Sequence, residues 1–258
     1  MKNSDKGAFA MNEKQKLALD YKIYSNKMLY IMSIVLLVSY ILQTVGQMLG
    51  GSALIYVLCL AMAVVIAGYV LSFRGFTLLK KANAIEDTAY PNTGRNFNIL
   101  SIVFCVLSVI FSVLMVFVLA SSSVLQNQLQ TSPNDASVMN ALKNVQIIYG
   151  IIYGLVTVLS LQTITGLYMM RTYNIEKSQN KTDNFALFCA IFTLTAVIVN
   201  VLSILYNATY KDTSAALTNF SVILRIASYA VSIVFFNLRG KKLDPDYKGR
   251  KSETEKAE

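Results

Sequence analysis

Six stretches of the chain, each roughly twenty residues long, run with almost no charge, and polar residues crowd between them. They fall at about 27–48, 52–73, 97–121, 146–170, 184–206 and 217–238. At about 1.5 Å of rise per helical residue, each is long enough to cross the ~30 Å hydrocarbon layer of a bilayer. Strands of a membrane barrel would alternate apolar and polar at every second position, and these stretches do not. The pattern predicts an all-α integral membrane protein with six transmembrane helices, arranged as three consecutive helical hairpins. Residues 1–26 form an N-terminal tail and residues 239–258 a charged C-terminal tail, expected to be disordered. The remaining loops are too short for a second folded domain. The polar start carries no cleavable leader pattern, so the first apolar run is expected to stay in place as an anchor.

Within the apolar stretches, polar residues recur at helical spacing. Thr218, Ser221, Arg225, Ser228 and Ser232 lie on one face of the sixth span, and Thr193, Ala196, Asn200, Ser203 and Asn207 on one face of the fifth. Ser101, Cys105, Ser108 and Ser112 make a similar stripe in the third, while Tyr40, Gln43, Thr44 and Gln47 gather in the second half of the first. Small and hydroxyl-bearing residues let membrane helices approach closely, and the Gly150-x-x-x-Gly154 pair in the fourth span fits that role. Asn200 and the glutamines are larger and suit either packing or a ligand.

Charge then orients the bundle. Lys and Arg fall in the N-terminal tail, between the second and third spans, between the fourth and fifth, and in the C-terminal tail. The opposite side holds only Lys143 and Lys211. Both termini are therefore expected in the cytoplasm. The net charge of +9 reads as this asymmetry plus attraction to anionic lipid at the basic loops, not as nucleic-acid binding. The expected location is a cell membrane, most simply a bacterial cytoplasmic membrane.

On the outer side, Met48 to Ser52 makes a tight turn between the first two spans. Between the third and fourth, Ser132 is expected to cap an outer helix with Pro133 at its first position, the helix running on into span four. Asn207-Ala-Thr209 matches a glycosylation sequon, which matters only in a eukaryotic source. The cytoplasmic ends of spans two and four read alike: Arg74, Phe76, Leu78 and Lys80 match Arg171, Tyr173, Ile175 and Lys177. Spans three and five open with Asn96-Phe97 and Asn184-Phe185. This hints at a repeated hairpin plan.

The chemistry is limited by what is missing. There is no histidine, and no Asp or Glu lies inside a span. Histidine-based hydrolysis, His-Glu zinc proteolysis and a carboxylate proton relay are thereby excluded for this chain alone. No phosphate-binding loop or dinucleotide fingerprint is present, and no catalytic residue, metal or cofactor is expected. The cysteines Cys59, Cys105 and Cys189 all sit in apolar runs and read as small buried side chains.

Arg225 is the exception. A guanidinium near the middle of a helix costs about 2.5–3.5 kcal/mol on insertion scales. It can snorkel toward the outer surface, bond to Asn200 on the preceding helix, or line a polar vestibule that attracts an anion. Asp135 and Asp212 are the outer carboxylates available to it. The ligand-binding residues expected on this reading are Arg225, Asn200, Ser221, Ser228, Gln43 and Gln47. The function expected is a small-solute transporter or channel that favours an anion. The alternative is a non-transporting partner: an anchor, immunity, assembly or regulatory subunit, including an ABC-type permease subunit or a homo-oligomer. No residue motif ties the chain to a family.

Overall fold

A computed structural model describes all residues except 1–12, 50, 87–91, 133–134, 180–183, 211–214 and 244–258; the side chains of 46–49, 51–55 and 58 also lie outside the description. The described residues form helices joined by short connections, with no strand: α1 (Glu13–Leu49), α2 (Gly51–Glu86), α3 (Thr93–Thr131), α4 (Ala136–Val158), α5 (Leu161–Ser178), α6 (Asn184–Thr209) and α7 (Ala215–Leu243). Six segments are long and apolar enough to cross a membrane, the fourth being α4 and α5 together. Helices are the necessary choice there, because hydrocarbon offers the backbone no hydrogen-bond partner.

The helices outrun the apolar runs that predict them. α1 begins at Glu13 rather than near residue 27, and α2 continues to Glu86. In both, the polar extension stays helical because it packs against its neighbour. Lys22 of α1 pairs with Glu86 of α2, and Ser25 Oγ donates to the Gly75 carbonyl at 2.7 Å. That bond requires the two backbones to approach closely, which glycine permits.

Two expectations about the middle of the chain are corrected. Ser132 is not an N-cap. Its amide closes the last turn of α3 by donating to Gln128 O at 2.9 Å. The cap of α4 is Asp135, whose carboxylate accepts from Ser137 N at 2.9 Å and Val138 N at 3.3 Å. Aspartate adds a charge to the cap, which the positive end of the helix favours. These bonds, with that of the Ser137 hydroxyl, hold the Asp135 carboxyl below its ordinary range. Pro133 lies outside the described residues. A helix does run on from this connection into span four, but span four is not continuous: the helix stops at Val158 and restarts at Leu161.

The core follows the polar stripes inward. On α6 the buried face includes Cys189, Thr193, Ala196, Asn200 and Ser203, and on α7 Ser221, Arg225, Ser228 and Ser232. Large apolar side chains such as Ile198, Leu202 and Ile223 are exposed, as a lipid-facing surface requires. Gly150 and Gly154 pack on α6, where a Cβ at Gly150 would run into Ala208. Toward the other end, Phe76, Phe97, Tyr168 and Phe236 stack as one aromatic cluster with ring centroids 5.3–6.1 Å apart. None of the three cysteines is in a disulfide, and only Cys189 is buried; Cys105 is partly exposed and Cys59 exposed, against expectation. In a bilayer an exposed apolar thiol faces lipid and needs no burial in protein.

Candidate functional site

Arg225 sits near the middle of α7 with 9% of its surface exposed. Its guanidinium carbon lies 4.6 Å from the centroid of the Tyr40 ring on α1. Its Nε donates to Tyr229 Oη one turn along α7, at 3.4 Å. Tyr153 of α4 is the third phenol in its electrostatic surroundings. The Tyr40 and Tyr229 rings pack on each other at 5.9 Å, so the cation meets a joined pair of phenols from separate helices, the ring face of one and the hydroxyl of the other. The ion pairs described are Lys22 with Glu86 and Arg239 with Glu176, and no described carboxylate pairs with Arg225. Asp212 lies outside the described residues. The expected hydrogen bond to Asn200 is not the one formed. A desolvated cation–π contact contributes about 2 kcal/mol, less than the ~2.5–3.5 kcal/mol insertion cost. The cage therefore offsets much of that cost and leaves the positive charge unneutralised.

Behind the cage runs a chain of hydroxyls. Ser228 Oγ donates to Arg225 O at 2.8 Å, and Ser232 Oγ to Ser228 O at 2.9 Å. Ser221 Oγ likewise donates to Thr218 O at 2.8 Å. The two expected ligand groups Ser221 and Ser228 thus spend their protons on their own helix. Ser228 also accepts from Gln162 Nε2, which ties α7 to the start of α5. Asn200 is buried on α6. Gln43 is partly buried, its amide 3.5 Å from Ser39 Oγ and one turn beyond Tyr40. The side chain of Gln47 lies outside the described residues. The structure therefore links Arg225, Ser221 and Ser228 along one face and adds Tyr40, Tyr153, Tyr229 and Gln162, which the sequence reading did not assign to a site.

The restart at Leu161 is the second unusual feature. Neither Gly nor Pro stands at the break. Instead, two side chains from other helices capture the carbonyl of Leu159: Tyr69 Oη at 2.9 Å and Ser108 Oγ at 3.0 Å. Competition of this kind for a backbone group is an established cause of helix interruption. Ser160 takes up an extended conformation and no side chain caps α5. Ser160 Oγ, Gln162 Oε1 and Thr163 Oγ1 are buried without a hydrogen-bond partner. Buried polar atoms are nearly always bonded, so three in four residues is an unusual concentration. Interrupted helices of this kind place polar backbone where a cavity or solute can meet it.

The signal for this was present as the polar run Ser160, Gln162, Thr163 and Thr165 in an apolar stretch. No group of His, Cys, Asp or Glu able to hold a metal is found among the described residues. Neither a family model, nor a curated protein, nor a solved structure matches the chain.

Proposed function

We propose that the chain is a small-solute transporter or channel of a cell membrane that favours an anion, with Arg225 as the residue that attracts it. The observation that carries this reading is the buried guanidinium caged by Tyr40 and Tyr229 with no described carboxylate beside it. An intramembrane cation that no described carboxylate compensates is most simply kept for an anionic visitor. Its link through Ser228 to Gln162 connects it to the polar start of α5, where unpartnered atoms offer further contacts. In this reading the six spans form three hairpins with both termini cytoplasmic, and Arg225 faces a vestibule open to the outside.

The test is flux into proteoliposomes containing this chain alone, with chloride, phosphate and small carboxylates as probes. Native protein is expected to carry at least one of them, and Arg225→Leu to reduce that flux by about tenfold or more while the protein still folds. Absence of anion flux, or flux equal in the two forms, sinks the reading. A second reading, a non-transporting membrane subunit, draws on α3, whose most apolar eighteen residues contain no buried position. Stable co-purification with one partner, together with absence of flux, selects it.

A further inference from the structure

Far along the helices from Arg225, the start of α1, the ends of α2, α5 and α7 and the start of α3 meet around a cleft of about 210 Å³. At about 30 Å³ per water this is room for roughly seven waters, or a solute on the order of ten non-hydrogen atoms. Its charged lining is balanced. Lys22 pairs with Glu86, and Arg239 faces Glu176 at 3.9 Å. A solute with a net charge gains little from a neutral set, whereas one that carries both signs can meet each.

The hydrogen-bonding capacity left over in this cleft is also two-sided. Arg239 Nη1 is buried and has no hydrogen-bond acceptor; its approach to Glu176 is too long to be one. Tyr168 holds the guanidinium in place, its ring centroid 5.5 Å away. Thr93 Oγ1 is buried without a partner in the first turn of α3, a helix end that no side chain caps. Donor groups and the positive end of a helix suit a carboxylate. The unmatched acceptor is Asn26 Oδ1, on a residue only 6% exposed. Its amide nitrogen is fixed by donation to Phe236 O at 2.8 Å. A Cβ on Gly240 would stand only 3.0 Å from that nitrogen, which places Asn26 within a turn of Arg239 on α7. The free acceptor and the free donor therefore belong to residues that line the same cleft.

We propose that this cleft binds a small α-amino acid in its zwitterionic form, with the carboxylate at Arg239 and Thr93 and the ammonium at Asn26 Oδ1 beside Glu86. In such a solute one carbon separates the two charged groups, so both fit within a cleft of this size and each can meet a lining group of the opposite kind. The site does not involve Arg225 and stands whether or not an anion passes there.

The test is equilibrium binding to the full-length protein in detergent, using radiolabelled glycine, L-alanine, L-serine and L-threonine, with acetate and ethylammonium as single-charge controls. At least one amino acid is expected to bind well above both controls. Arg239→Gln and Thr93→Val should each weaken that binding by about tenfold or more, and Arg225→Leu should leave it unchanged. Thr93→Val is nearly isosteric and decides the matter if Arg239→Gln fails to fold. Acetate binding as tightly as the amino acids, no amino acid binding at all, or loss in Arg225→Leu with retention in Thr93→Val would each overturn the assignment.

Discussion

At Arg225 the sequence and the structure meet most closely. A charge inside an apolar run stands out, and the face it shares with Ser221, Ser228 and Ser232 was legible from helical spacing alone. Its partners were not. Tyr40, Tyr153 and Tyr229 come from three helices, and nothing in a linear pattern says which aromatic rings converge; Asn200 looked equally suited by depth. Only Tyr229, one turn from Arg225, carries a local signal. Another single residue fixes how closely two helices approach. A Cβ added at Gly94 would strike the Lys80 amide nitrogen and stand 2.8 Å from the Leu79 carbonyl carbon. Both are backbone atoms of α2 and cannot rotate aside. Gly94→Ala is expected to cost about 1–3 kcal/mol, as overpacking does. A clear fall in thermal midpoint in detergent is the predicted result, and an unchanged midpoint would show that α2 and α3 do not sit this close.

Among the elements, the helix interruption is the least legible. Sequence punctuation for a break is usually Gly or Pro, and here the agents are hydroxyls from distant positions, Tyr69 and Ser108. Each alone satisfies the Leu159 carbonyl, so Tyr69→Phe or Ser108→Ala should cost only about 0.5–1.5 kcal/mol. Removing both orphans a partly buried carbonyl, and the double variant should exceed the sum of the singles. Unfolding measured on all four forms checks this; simple additivity would mean the two hydroxyls do not hold the break. The polar stripes of α6 and α7 read correctly as inward faces, because period and small size fix both. The likeness between span ends reads less well. Phe76 is buried in the aromatic cluster while its match Tyr173 is only partly buried, and Phe97 is buried where Phe185 is exposed. Similar words at two helix ends serve different packing.

For the molecule as a whole, six segments long and apolar enough to cross a membrane were legible because apolar run length is dictated by the bilayer itself. The amino-acid cleft was not, since five chain segments contribute to it and each contribution alone is an ordinary polar helix end. Orientation rests on charge asymmetry and can be measured directly. With the native cysteines removed, Lys143→Cys is expected to react with an impermeant maleimide in intact cells, and Lys177→Cys only after permeabilisation. Reaction of both from the same side would discard the proposed arrangement of the spans.

The 39-residue α3 stands largely outside the packed core, and its length has a mechanical consequence. Its mostly apolar run from Phe97 to Ala120 is 24 residues long, near 36 Å of helix against ~30 Å of hydrocarbon, and leaning is the simplest way for it to fit an average bilayer. A thicker membrane would draw it upright and a thinner one would tip it further. Because Ser108 on this same rod grips the Leu159 carbonyl, bilayer thickness acts directly on the joint between α4 and α5. The surrounding lipid is then one of the forces that sets the angle of that joint.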